Sequence, residues 1–172
     1  MDYGVAEEEI ATFLNSRFAD YGAEGRCIAA PMPDNDAEMS EFNNRLDMGR
    51  VAVQYIDSNY EPDKGLDAAR VEERVRFRLA FVSTRLRKEY GVYWLMAFAK
   101  KHLTGFKPSD ADRLTVTKYE PVSFDQNNIQ HSLEFECRTM ISDYIESTPD
   151  WEKPIGGPIT SVGFVEEFGE VA

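Results

Sequence analysis

Two histidines and two cysteines are the side chains here best suited to nucleophilic or acid–base chemistry, and their spacing gives them little to do together. His131 and Cys137 share a run, Ile129 to Ile141, in which apolar and polar residues alternate, so both face one side of a strand. Six residues apart along a strand is about 20 Å, too far for a thiolate–imidazole pair. His131 therefore reads first as a structural histidine, with a general base of a small hydrolase as the alternative. His102 falls near the C-terminal end of a helical pattern, where a charged imidazole suits the exposed carbonyls. Cys27 and Cys137, with no CxxC and no nearby His pair, read as reduced core thiols in a cytoplasmic setting. Asp34, Asp36 and Glu38 form a spaced acidic trio, but they lack the ordered Gly and distal Glu of a calcium loop and read as a solvated turn. The sequence has no Gly-rich phosphate loop, HExxH or GxSxG. Gly156-Gly157-Pro158 follows an irregular stretch and reads as a turn. The expectation is no enzyme, no cofactor and no metal.

The strongest charged pattern is a stripe. Arg74, Arg76 and Arg78 alternate with Val75, Phe77, Leu79 and Phe81, which sends the apolar side of a strand to the core and three guanidinium groups the other way. Glu134 and Glu136 form a matching acidic row in the 129–141 run. Cross-strand pairs of this kind contribute about 0.2–1 kcal/mol each. The same five residues could instead pair across a subunit boundary, which makes them candidate interface residues. Nucleic acid is a poorer partner: Glu72 and Glu73 adjoin the stripe, and no stacking aromatic alternates with it.

The elements that position these residues follow from periodicity. Ile10, Phe13, Leu14, Phe18 and Tyr21 share a helical stripe over Glu7 to Tyr21, with three glutamates in its first turn and Gly22 to end it. Residues 24–47 show no clear period. Arg50 to Ile56 alternates as a strand, and 57–70, with Pro62 and Gly65, reads as a long loop or hairpin tip. A second helix runs from Tyr90 to Leu103, with Gly105 as its left-handed cap and Pro108 barring continuation. Leu114 to Tyr119 is a short strand, Pro121 to Asn128 a turn, and 129–141 a long strand. After Tyr144 the prolines and glycines give an extended tail, with a strand pattern at 159–165. The expected architecture is α+β: a largely antiparallel sheet of four to five strands with two main helices on one face. Residues 1–144 form one domain, and 145–172 form a tail suited to lie on a neighbouring subunit.

Composition narrows the classes of partner. The chain has 172 residues, 42% hydrophobic, 12% aromatic and 29% charged, enough for one full core. A net charge of −12 argues against sequence-independent binding of nucleic acid over a broad face. The charge comes in blocks: residues 1–69 carry 5 basic and 15 acidic groups, 70–118 carry 12 and 5, and 119–172 carry 2 and 11. Either these blocks neutralise one another within the fold, or they leave opposite faces that draw identical copies head to tail. The start is acidic where a secretory signal would be basic and then apolar. The longest uncharged apolar stretch, Tyr90 to Ala99, is about half a membrane span.

One stretch has a family character. Glu73-Arg74 opens the strand, Arg85-Leu86-Arg87 makes the turn, Gly91-Val92-Tyr93 starts the helix and Leu103-Thr104-Gly105-Phe106-Lys107-Pro108 closes it. This run resembles the tail terminator (tail completion) proteins of Mu-like contractile-tailed phages, a similarity covering about residues 6–144. The resemblance implies a non-enzymatic virion protein that assembles as a hexameric ring on the head-proximal end of the tail tube. There it would stop polymerisation and offer a joining surface to the neck and capsid, after assembly in the host cytoplasm. Implied partners are sister copies, the tail tube protein, the sheath protein and neck or connector proteins. No membrane or sequence-specific nucleic acid is implied, with passage of DNA through the ring left open. The competing reading is a monomeric binding module that uses the 57–70 loop.

Overall fold

The long alternating runs become the centre of a five-stranded sheet. The computed structural model describes residues 1–44, 48–62, 70–124 and 128–142. In chain order these are α1 (Tyr3–Asp20), β1 (Cys27–Pro31), α2 (Asp36–Asn44), β2 (Gly49–Pro62), β3 (Arg70–Ser83), α3 (Val92–Leu103), β4 (Thr115–Phe124) and β5 (Ile129–Ser142). The strand order is β1-β2-β3-β5-β4; β1 runs parallel to β2 and every other pair is antiparallel. The architecture is the expected α+β with a mostly antiparallel sheet. The tail reading for residues 145–172 lies outside the described residues.

One face of the sheet carries the main core. Val75, Phe77, Leu79 and Phe81 of β3 and Leu133 and Phe135 of β5 are fully buried against α1 and α3. Each such side chain contributes about 1.5–3 kcal/mol by leaving water. Phe18 of α1 stacks on Phe98 of α3 at 4.9 Å between ring centres, and Phe13 stacks on Phe106 at 4.3 Å.

Helix α1 starts earlier than its apolar stripe suggests. Asp2 is its N-cap, accepting a bond from the Val5 amide at 3.1 Å, so the first turn holds none of the three glutamates. Its far end follows the expectation. Gly22 is left-handed at φ 67°, its amide bonds the Ala19 carbonyl, and the Ala23 amide bonds the Phe18 carbonyl, which satisfies the terminal carbonyls.

Three regions correct the sequence reading. Residues 24–47 hold β1 and α2, and α2 lies on the opposite sheet face from the other helices, with Phe42 over Ala52 and Ala80. Of the acidic trio, Glu38 joins the start of this helix: the Asn35 side-chain oxygen accepts from the Glu38 amide at 3.0 Å, and the Asn35 side-chain NH2 donates to the Glu38 carboxylate at 2.8 Å. Residues 57–62 continue β2 instead of opening a loop, because a bulge between Tyr55 and Asp57 shifts the alternation while pairing with β3 persists. Pro121 sits inside β4, an edge strand where a missing amide breaks no ladder bond, next to a register shift at Pro121/Ser123.

Candidate functional site

The arginine stripe finds its partners within the chain. Arg78 stands opposite Glu134 and Arg76 opposite Glu136 in the β3–β5 register. Glu134 is only 3% exposed; it accepts from Arg78 at 2.9 Å and lies 3.9 Å from Arg76. Arg76 also grips Asp57 of β2 with two donors, one at 2.7 Å, which raises the Arg76 pKa. Arg78 reaches Glu120 of β4 at 3.7 Å, and Glu120 pairs with Lys118. Arg74 pairs with Glu61 at 3.0 Å and with Glu72 at 3.5 Å. Arg138 stands directly opposite Arg74, and Glu72 bridges the two like charges, 3.4 Å from Arg138.

The result is two charge ladders across the open half of the sheet. Asp57, Arg76, Glu134, Arg78, Glu120 and Lys118 form one; Glu61, Arg74, Glu72 and Arg138 form the other. Each contains as many cations as anions, so neither needs a neighbour for neutralisation. Sequence reasoning found the arginines, Glu134 and Glu136. It missed Asp57 and Glu61, which it placed in a long loop or hairpin tip, and Glu72, Glu120, Lys118 and Arg138. The period-two pattern of β5 does put Arg138 on the charged face.

Arg50 is a further missed residue. It is fully buried, and its guanidinium donates to the Phe42 carbonyl at 2.8 Å, to the Asn43 carbonyl and to the Asn128 side-chain oxygen at 2.6 Å. It thereby ties the last turn of α2 to the sheet and to the start of β5, and burial lowers its pKa. The available signal was an arginine in phase with Ala52 on the face away from the main core.

The histidines and cysteines serve as packing groups. His131 is 4% exposed, accepts or donates at Nδ1 to the Tyr119 hydroxyl at 2.6 Å and lies between the rings of Tyr93 and Tyr119. His102 corrects an expectation: burial, Lys101 and Arg17 lower its pKa, so the fold favours the neutral imidazole, packed against Phe98 and Tyr21. Cys27 and Cys137 are free and buried, with burial pushing both thiols up to about 12. No group of three or more His, Cys, Asp or Glu among the described residues could hold a metal ion, and no helix among them is long and apolar enough to cross a membrane.

The uncompensated charge lies elsewhere. A groove of about 920 Å³ runs along the first three turns of α1 and the end of β1, lined by the carboxylates of Asp2, Glu7, Glu8, Glu9 and Asp34 and by one ammonium, Lys107. At the other end of α1, a concavity of about 400 Å³ joins Arg26 to Arg85, Lys88 and one carboxylate, Glu89, of the turn between β3 and α3. Within that turn Gly91 is the N-cap of α3: an added Cβ would lie 2.7 Å from the Arg85 carbonyl oxygen. The Arg85 and Leu86 carbonyls accept the Val92 and Tyr93 amides, so the turn itself caps the helix.

The charged face of this mixed sheet is paired internally, and the charge that forms no ion pair among the described residues lies at the two ends of α1. A family model matches residues 27–152, from the first residue of β1 to beyond β5, and the chain belongs to the Gp37 protein family of phage proteins. No curated protein matches the chain.

Proposed function

We propose that this phage protein is a tail terminator: a non-enzymatic ring of identical copies on the head-proximal end of the tail tube, ending polymerisation and presenting the surface that joins the neck. The observation that carries the reading is that the terminator-like run from Glu73 to Pro108, which passes through β3, its turn and α3, lies inside the family match. Each motif in it has a structural task. Glu73 is buried and accepts the Tyr3 hydroxyl, pinning α1 to β3, while Arg74 enters a charge ladder. The Arg85 and Leu86 carbonyls cap α3, and Gly91 fits where a side chain would collide. Gly105 is left-handed at φ 89° and lets Phe106 fold back on Phe13, and Pro108 is buried behind it.

Of the 57–70 segment that the binding-module reading uses, residues 57–62 pair with β3. Deletion of the coding sequence from the phage tests the terminator reading. Tails of uncontrolled length without heads are expected in electron micrographs. Tails of normal length with heads attached would overturn it.

A further inference from the structure

We propose that the basic turn of one copy seats in the acidic groove of the next, forming the head-to-tail contact between identical subunits. The inference rests on the ring reading and names the surfaces that would build it. Helix α1 has 18 residues and is about 27 Å long, and the two surfaces lie at its opposite ends. One chain cannot bring them together, whereas a second copy displaced along the contact can.

Both surfaces hold charge that the fold leaves unspent. Arg85, Arg87 and Lys88 are exposed and form no ion pair among the described residues; Arg26 stacks on the Tyr90 ring at 5.5 Å. In the groove Glu7 accepts the Tyr55 amide and Glu9 the Ser109 amide at 2.7 Å, while Glu8 and Asp34 are exposed. None of these four carboxylates pairs with Lys or Arg among the described residues. The groove is also apolar: Val5, half exposed, with Met32 and Phe106 among its lining residues, supplies surface for the turn beyond charge alone.

The turn is preorganised for such a contact. Its carbonyls are fixed by α3, and Tyr90 is held at φ 61°, a left-handed conformation costly for a tyrosine. A Cβ at Gly49 would stand 2.8 Å from the Tyr90 carbonyl, so the turn lies directly on the start of β2. Little ordering entropy is then lost on docking. The sheet edges make poorer contacts. The Asn15 side chain occupies the outer edge of β1 through both the amide and carbonyl of Ala29 at 2.8 Å, and β4 carries Pro121 and two register shifts.

The test uses full-length chains in sedimentation velocity at low and high salt. Wild type should self-associate, with affinity falling as salt rises. R85E/K88E alone and E8K/D34K alone should each lose association by about tenfold or more, because each then opposes like charges. Mixed together they should associate again, since the positive turn of one meets the negative groove of the other and the reverse contact also matches. A wild-type chain that stays monomeric in low salt, or a mixture that stays dissociated, overturns the contact. Association undiminished in both variants overturns it too and leaves the ring standing on other surfaces; the tail-length phenotype of the deletion tests the ring separately.

Discussion

Strand β3 and the turn that follows it carry the same kind of residue to opposite ends. In β3, Arg74, Arg76 and Arg78 are each held by carboxylates from neighbouring strands. A few residues later Arg85, Arg87 and Lys88 form no ion pair among the described residues. A count of charge along the chain treats these as one basic block. The fold divides them into cations paired within the sheet and cations that form no ion pair among the described residues. The run from Arg74 to Lys88 is therefore not one basic face: it is a charge-paired strand followed by a charged turn.

The division predicts that stability responds to the internally held groups and assembly to the free ones. The largest stability loss is expected where a cation is wholly enclosed. Arg50→Met strips one buried and two part-buried acceptors of their donor and should cost about 3 kcal/mol in urea unfolding. Gly91→Ala drives a Cβ against two carbonyl oxygens, at 2.7 and 2.8 Å, and should cost about 2 kcal/mol by the same measurement. It would also loosen the turn and weaken self-association, linking the two regions. Glu134→Gln removes the shared buried anion between Arg76 and Arg78 and should cost about 1 kcal/mol. R85E/K88E should leave the melting temperature within experimental scatter, so a large drop would break the contrast.

A smaller effect sharpens the same logic. His102 is held neutral, so the unfolded chain binds the proton more readily than the folded one. Its contribution is fully present above the ordinary imidazole value of 6.5 and is lost as pH falls through the lower folded value. His102→Gln should flatten that part of the stability profile. An unchanged slope would show that other groups set it.

Periodicity revealed the elements that are long and buried on one side. The α1 stripe, the alternation of β3 and that of β5 gave the core face, including the inward position of His131. What stayed hidden has physical reasons. Strand β1 is five residues long, and α2 buries only Phe42, so neither repeats its pattern often enough to register. The outer half of β2 is polar because it extends past both edge strands into an exposed hairpin, and its bulge breaks the alternation. The charged stripe was legible as a pattern, and so was its pairing with the row containing Glu134. Its partners on β2 and β4 were not, because Asp57 and Glu61 read as a long loop or hairpin tip and Pro121 made the end of β4 read as a turn. The groove and the basic turn were invisible as sites, since each joins residues far apart in sequence.

Cryo-electron microscopy of the assembled particle tests the central claim most directly. The expected result is a ring of identical copies at the head-proximal end of the tail, with residues 85–88 of each copy against the groove that Glu8 and Asp34 line on the next. A particle that lacks the chain, or that carries it as isolated single copies away from that junction, would contradict it.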